Sequence, residues 1–219
     1  MTELFFVDLK KSDAVNYEGK SFTEAFPLTL AEKIEKTKNE SLKKDRIIVY
    51  TALIDILARK EEKLKIFENF CFSEKGKPYL KDSFVRFSLS HTDGMGVIAV
   101  SDTEIGVDIE KIIAEKTVSV EKICDKFYLQ NLEFKTKKLK NVNYCLIFKG
   151  KSEINQVIPV NIEADEVNLP FLKWTNLEAR LKLGENGFSE IRKTLEKKVD
   201  VKSYLLSITD ADFAVSVAL

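Results

Sequence analysis

Histidine is almost missing from this sequence. His91 is the only one among 219 residues, which excludes a His-rich metal site, a paired-histidine mechanism and a conventional metalloprotease. Cysteine is scarce too. Cys71, Cys124 and Cys145 are odd in number, far apart and in no CxxC pair, so they build neither a disulfide framework nor a zinc ribbon. A reducing, cytoplasmic setting is expected. No run approaches the roughly 20 apolar residues needed to span a bilayer, and the apolar run within residues 1–10 is broken by Asp8 and too short for a signal-peptide core. The chain is therefore expected to be soluble, with no membrane partner. Net charge is lacking as well: 35 Lys and Arg balance 35 Asp and Glu, so no whole-surface field attracts a polyanion. Only Arg46, Arg59, Arg86, Arg180 and Arg192 offer bidentate forks, which argues against a nucleic-acid partner. What the chain does have, 44% hydrophobic and 32% charged residues, suffices to bury a core in one domain or two half-size ones.

Periodicity outlines the elements. Residues 3–9 read as a strand, 28–38 as a short helix, and Ser41 to Arg59 as a stronger one, with Ile47, Ile48, Thr51, Ile54, Ile56 and Leu57 returning at helical spacing. Strands are expected at 84–90 and 95–101 around an Asp93-Gly94 turn, and at Glu104–Ile109. Residues 119–135 read as a helix. Residues 142–149 alternate as a strand, with 156–162 as its hairpin partner across Gly150-Lys151-Ser152. Phe171 to Gly184 reads as a helix closed by its glycine, and strands follow near 202–208 and 212–218. An internal echo links Phe87–Asp93 with Tyr204–Asp210. If it reflects duplication, each half is an α+β unit and a ligand cleft falls between them.

Several residues could carry chemistry. Asp108 and Glu110 flank Ile109, and the strand period of two puts both carboxylates on one face while Val107 and Ile109 enter the core. Such a pair suits an oxygen-seeking cation such as Mg²⁺; an exposed strand end is the plainer alternative. His91 is either a hydrogen-bonding residue at a strand end or a phosphate contact with its neighbouring hydroxyls. Gly76-Lys77-Pro78 is either a plain turn or the edge of a nucleotide site, where glycine admits a ligand to the backbone and lysine adds charge. Within 171–184, Trp174, Leu177 and Leu181 read as core. Glu178 and Lys182 form either a solvated i,i+4 pair or a base and an anion contact facing a cleft.

The order of these elements is more specific than any one of them. Gly76-Lys77-Pro78-Tyr79-Leu80, Phe87-Ser88-Leu89-Ser90-His91-Thr92, Ile105-Gly106-Val107-Asp108-Ile109-Glu110, and Trp174-Thr175 with Glu178-Ala179, Lys182 and Gly184 resemble the 4′-phosphopantetheinyl transferase superfamily. Within it, the chain is similar to the longer, surfactin-synthetase-type members. The resemblance implies a pseudo-duplicated α+β fold with its site in the cleft between two similar halves. Residues 1–103 would form the coenzyme A-binding half. Residues 104–219 would carry the metal carboxylates, the helix 171–184 and an insertion at about 137–170. The implied reaction moves the phosphopantetheine arm of coenzyme A onto a serine of an apo acyl or peptidyl carrier protein and releases adenosine 3′,5′-bisphosphate. By the same resemblance Asp108, Glu110 and Glu178 hold Mg²⁺, or Mn²⁺, which also accepts oxygen ligands. Glu178 takes the serine proton and Lys182 steadies the phosphates. Gly76, Lys77, Pro78, Ser90 and His91 match positions at coenzyme A, and Lys33 and Lys36 match lysines that reach its 3′-phosphate. The pseudo-dimeric architecture implies a monomer.

Two features depart from the family. Leu177 stands where the family usually has lysine, which removes one expected cation. Residues roughly 137–170 have no counterpart, and their hairpin is expected beside the helix 119–135, where it would adjust partner choice. These departures motivate an alternative, a catalytically silent relative that binds coenzyme A or a carrier protein. A metal-dependent phosphohydrolase would explain Asp108 and Glu110 but not the whole motif series.

Overall fold

A computed structural model describes residues 2–13, 22–127, 129, 132 and 135–219. In chain order it contains β1 (Glu3–Asp8), α1 (Phe22–Ala25), α2 (Leu28–Glu35), α3 (Glu40–Leu57), α4 (Lys63–Asn69), β2 (Phe70–Phe72), β3 (Pro78–Leu80), β4 (Arg86–Thr92), β5 (Met95–Ser101), β6 (Gly106–Lys111), α5 (Thr117–Lys126), β7 (Val142–Phe148), β8 (Lys151–Val157), β9 (Val160–Asn161), α6 (Leu169–Gly184), α7 (Ile191–Glu196), β10 (Val201–Ile208) and β11 (Ala211–Ala218). The fold is mixed α+β. Its two larger sheets run β4-β5-β1-β7-β8 and β6-β11-β10-β9, and β2 and β3 form a small ribbon. No helix among the described residues is long and apolar enough to cross a membrane.

The strand period of two sorts side chains into two cores. On β1 and β5, Phe5, Val7, Ile98 and Val100 join α2 and α3 in one core. Phe6, Met95, Val97 and Ala99 face the other way and meet Val107, Ile109, Leu206, Val215 and Val217 of the second sheet. The sheets therefore pack face to face, with α2 and α3 outside one and α6 outside the other, where Phe171 and Leu172 meet Leu205 and Ala214. Asn39 caps α3 by accepting the Leu42 N–H at 2.9 Å.

The hairpin in residues 137–170 departs from expectation. Its second strand is 151–157, not 156–162, because Lys149 and Gly150 both adopt positive φ, 48° and 76°, and close a two-residue turn that pairs Phe148 with Lys151. Val160–Asn161 pairs instead with β10. The hairpin does not sit beside α5. β7 pairs in parallel with β1, and Cys145, Ile147 and Ile154 pack into the core under α3. It extends a main sheet across the expected boundary at 103/104, so its removal would uncover core and expose the edge of β1 rather than cleanly alter partner choice. The helix expected over 119–135 begins at Thr117 and ends at Lys126; 128, 130, 131, 133 and 134 lie outside the described residues. α6 ends in a left-handed residue as expected, but that residue is Glu185, φ 51°, and Gly184 is its last helical position.

Candidate functional site

A pocket of about 480 Å³ opens among α2, α3, the β2–β3 turn, β4 and the C-terminal end of α6. Lys33, Gly76, Lys77, Pro78, Ser90, His91, Glu178 and Lys182, singled out from the sequence, all line it. Lys33 reaches the turn directly: its ammonium donates to the Gly76 carbonyl at 3.3 Å and lies 3.9 Å over the Phe72 ring. Gly76 has φ +85°, a conformation that a side chain resists, so glycine here permits the tight turn that presents Lys77 and Pro78. Lys36 is not brought in. It follows the end of α2, points to solvent with a side chain 79% exposed, and pairs with Glu32 at 3.5 Å.

On the other wall, α6 approaches β6 so closely that a methyl group on Gly106 would sit 2.0 Å from the Ala179 carbonyl oxygen. This contact of backbone with backbone brings Lys182 onto Asp108. The Lys182 ammonium donates to Asp108 Oδ1 at 2.6 Å and to Ser90 Oγ at 2.8 Å, and the Ser90 hydroxyl donates to Asp108 Oδ1 at 2.7 Å. Asp108 and Glu110 are not themselves in the pocket lining. Asp108 is buried behind Ser90 and Lys182, and Glu110 lies further along β6, where Thr92 Oγ1 donates to its Oε2 at 3.2 Å.

Two of these carboxyls are held above their ordinary range. Burial first, then the Asp108 charge, push the Glu110 carboxyl up to about 7; Glu178 adds to this, and the Thr92 bond and Lys182 oppose it. Burial and then Asp108 also raise Glu178, against Lys182. His91 is lowered, chiefly by burial, with Asp45 opposing. Burial, then Arg46, lower Lys33.

A pH dependence follows for Glu110. Between its ordinary value of 4.5 and about 7 the folded chain holds a proton that the unfolded chain has released. Stability is then highest below that window and falls as pH rises through 7, by on the order of 1–3 kcal/mol. In chelator-containing buffer, urea unfolding of the wild-type chain should lose stability between about pH 5 and 7.5 that Glu110→Gln does not lose. Equal pH slopes in the two proteins would contradict the assignment.

Asp108, Glu110 and Glu178 carry oxygen donors of the kind a hard divalent cation takes. Asp108 Oδ2 is buried without a hydrogen-bond partner. Among the described residues no group of three or more His, Cys, Asp or Glu side chains is gathered into a ready cage; the Lys182 ammonium is the cation seated on Asp108.

Leu177 does not take a cation from the pocket. It is fully buried with Cys124, Leu129, Leu181 and Ile191, on the side of α6 that packs against α5 and α7. Cations that sequence reasoning missed line the pocket instead, Arg46 on α3 and Lys75 on the β2–β3 turn. Five Lys and Arg thus face two carboxylates, Glu178 and Glu185, in the lining. The available signal for Arg46 was its i,i+3 and i,i+4 spacing to Val49 and Tyr50, which puts a charge on a face that is otherwise buried. Phe188, also missed, stacks on Trp174 with centroids 5.9 Å apart, and Trp174 stacks on Phe127 at 6.4 Å, so the motif tryptophan braces a pocket wall. No protein-family model matches this chain, and no curated protein matches it in sequence.

Proposed function

We propose that this chain is a Mg²⁺-dependent 4′-phosphopantetheinyl transferase, a cytoplasmic monomer that modifies an apo acyl or peptidyl carrier protein. The observation that carries the reading is the convergence of three of its four motif stretches on one cation-lined pocket, with Glu178 in the wall and Lys182 joining that wall to Asp108 of the fourth. The strand orders β4-β5-β1 and β10-β11-β6 support a pseudo-duplicated fold, since each stretch runs strand, covering helix, hairpin, with α3 and α6 as the helices. The pocket draws on residues before and after 103, as a cleft between such halves would.

In the reaction, the carrier serine oxygen bonds to the phosphorus bearing the pantetheine arm. The pyrophosphate P–O bond breaks, and its electron pair leaves on adenosine 3′,5′-bisphosphate. The serine proton goes to Glu178, whose carboxylate burial makes more proton-seeking than an ordinary glutamate. Lys33, Arg46 and Lys77 hold the phosphates by charge-assisted bonds. Lys182 lines the pocket and donates to Asp108, so in this reading it balances charge on the phosphates and on that carboxylate. Asp108, Glu110 and Glu178 are the residues that would hold Mg²⁺, which when bound neutralises charge at the pyrophosphate.

Nucleotide release tests this reading. With coenzyme A, Mg²⁺ and a panel of apo carrier domains, adenosine 3′,5′-bisphosphate should appear only when a carrier is present. Release without any carrier would point to a phosphohydrolase. Coenzyme A binding without release, at saturating Mg²⁺, would point to the silent relative.

A further inference from the structure

β4 and β6 are edges of two different sheets and share no main-chain ladder. Three β4 hydroxyls, spaced two residues apart and therefore on one face, take its place along their junction. Ser88 Oγ accepts the Val107 N–H at 3.1 Å. Ser90 Oγ donates to Asp108 Oδ1 at 2.7 Å. Thr92 Oγ1 accepts the Lys111 N–H at 3.3 Å and donates to Glu110 Oε2 at 3.2 Å. The pairs climb in the same direction on both strands. Where β6 offers an N–H the hydroxyl accepts, and where it offers a carboxylate the hydroxyl gives its one hydrogen. Thr92 does both, so it ties the Glu110 carboxylate to the main chain of the next residue.

We propose that this row of hydroxyls is a positioning rail for the β6 carboxylates, and that Thr92 is a positioning residue that orients Glu110 toward a divalent cation. The inference rests on the metal reading of Asp108, Glu110 and Glu178. Asp108 has two further constraints, burial and the Lys182 ammonium. Glu110 has less: among the described residues Thr92 is the only side chain that hydrogen-bonds its carboxylate. Without that bond the carboxylate rotates about its own side-chain torsions, and ordering it again on binding costs conformational entropy. Groups that orient a metal ligand typically matter by about 10–100-fold in metal affinity. A hydroxyl is the feature required, and serine supplies it as well as threonine does.

Mn²⁺ titration of the full chain, followed by the electron paramagnetic resonance signal of free Mn²⁺, tests this without any catalytic readout. The wild-type chain should bind Mn²⁺. Thr92→Val, which keeps the shape, and Thr92→Ala should each bind about 10–100-fold more weakly, with far-UV circular dichroism confirming the fold. If Thr92→Val does not fold, Thr92→Ala decides. Thr92→Ser should stay within about threefold of the wild type, as rescue by a hydroxyl requires. Wild-type affinity in Thr92→Val or Thr92→Ala would overturn the positioning role and leave the metal reading standing. Equal weakening in Thr92→Ser would overturn it too, since shape would then be what matters. No Mn²⁺ binding by the wild-type chain would overturn both.

Discussion

Glu178→Gln should slow phosphopantetheine transfer by about 10²–10⁴-fold, the range typical of a lost general base. Glutamine keeps the length and polarity of the side chain, so the pocket wall that Glu178 forms is preserved. In the proposed reaction it would have no basic oxygen for the serine proton, and that loss would fall on the transition state rather than on the bound ground state. Coenzyme A affinity, measured by calorimetry in chelator, should therefore stay within about threefold of wild type while the single-turnover rate falls. A variant that transfers at near wild-type rate would remove Glu178 from the reaction. One that loses coenzyme A binding to the same degree as rate would make it a binding residue instead.

Gly106→Ala should have the second large effect, and it reaches the site through packing. The new methyl would lie 2.0 Å from the Ala179 carbonyl oxygen and 2.5 Å from the Leu183 nitrogen. Both atoms are backbone of α6, so no side-chain rotation relieves the clash, and the helix must move off β6 by more than an ångström to reach the ordinary contact distance of about 3.5 Å between non-bonded atoms. That shift separates Lys182 from Asp108, now 2.6 Å apart, and leaves a buried carboxylate without its cation. Overpacking of this kind costs about 1–3 kcal/mol, and the weakened ion pair adds to it. For a chain of this length, a melting temperature lower by about 5–10 °C is expected, with transfer reduced at least about tenfold as its geometry loosens. A variant with unchanged melting temperature and rate would show that the close approach of α6 to β6 is not what seats Lys182.

Much of this architecture could be read from local pattern. β6 and its two carboxylates follow from a period of two, with Val107 and Ile109 in the inter-sheet core. The β4–β5 hairpin follows from Asp93-Gly94, where Gly94 takes φ +85°. The β7–β8 turn was misplaced because Lys149 holds a left-handed conformation that lysine does not advertise, whereas Gly150 alone pointed a residue or two further on. The pairing of β7 with β1 had no local signal at all. Both strands are apolar and alternate, but a parallel neighbour distant in sequence is chosen by the core it completes under α3, not by its own residues.

The same contrast holds at the site. Gly76, Lys77, Ser90, His91, Glu178 and Lys182 were legible as motif positions, and they line one pocket. The resemblance pairs Lys36 with Lys33 at the 3′-phosphate, but α2 ends between them and turns Lys36 to solvent. Beside the family pattern Leu177 reads as a lost cation, yet its place on the core side of α6 means that its side chain does not address the pocket. Arg46 and Phe188 enter the pocket from elements whose long-range packing, not local pattern, brings them there.

The most direct measurement is the intact mass of a carrier protein. Apo carrier domains incubated with this protein, coenzyme A and Mg²⁺ should each be analysed by mass spectrometry, beside the same domains with the acceptor serine replaced by alanine. At least one carrier should become heavier by one phosphopantetheine arm, with no gain in its alanine form. A broad panel of apo carriers that keep their original mass would contradict the transferase reading.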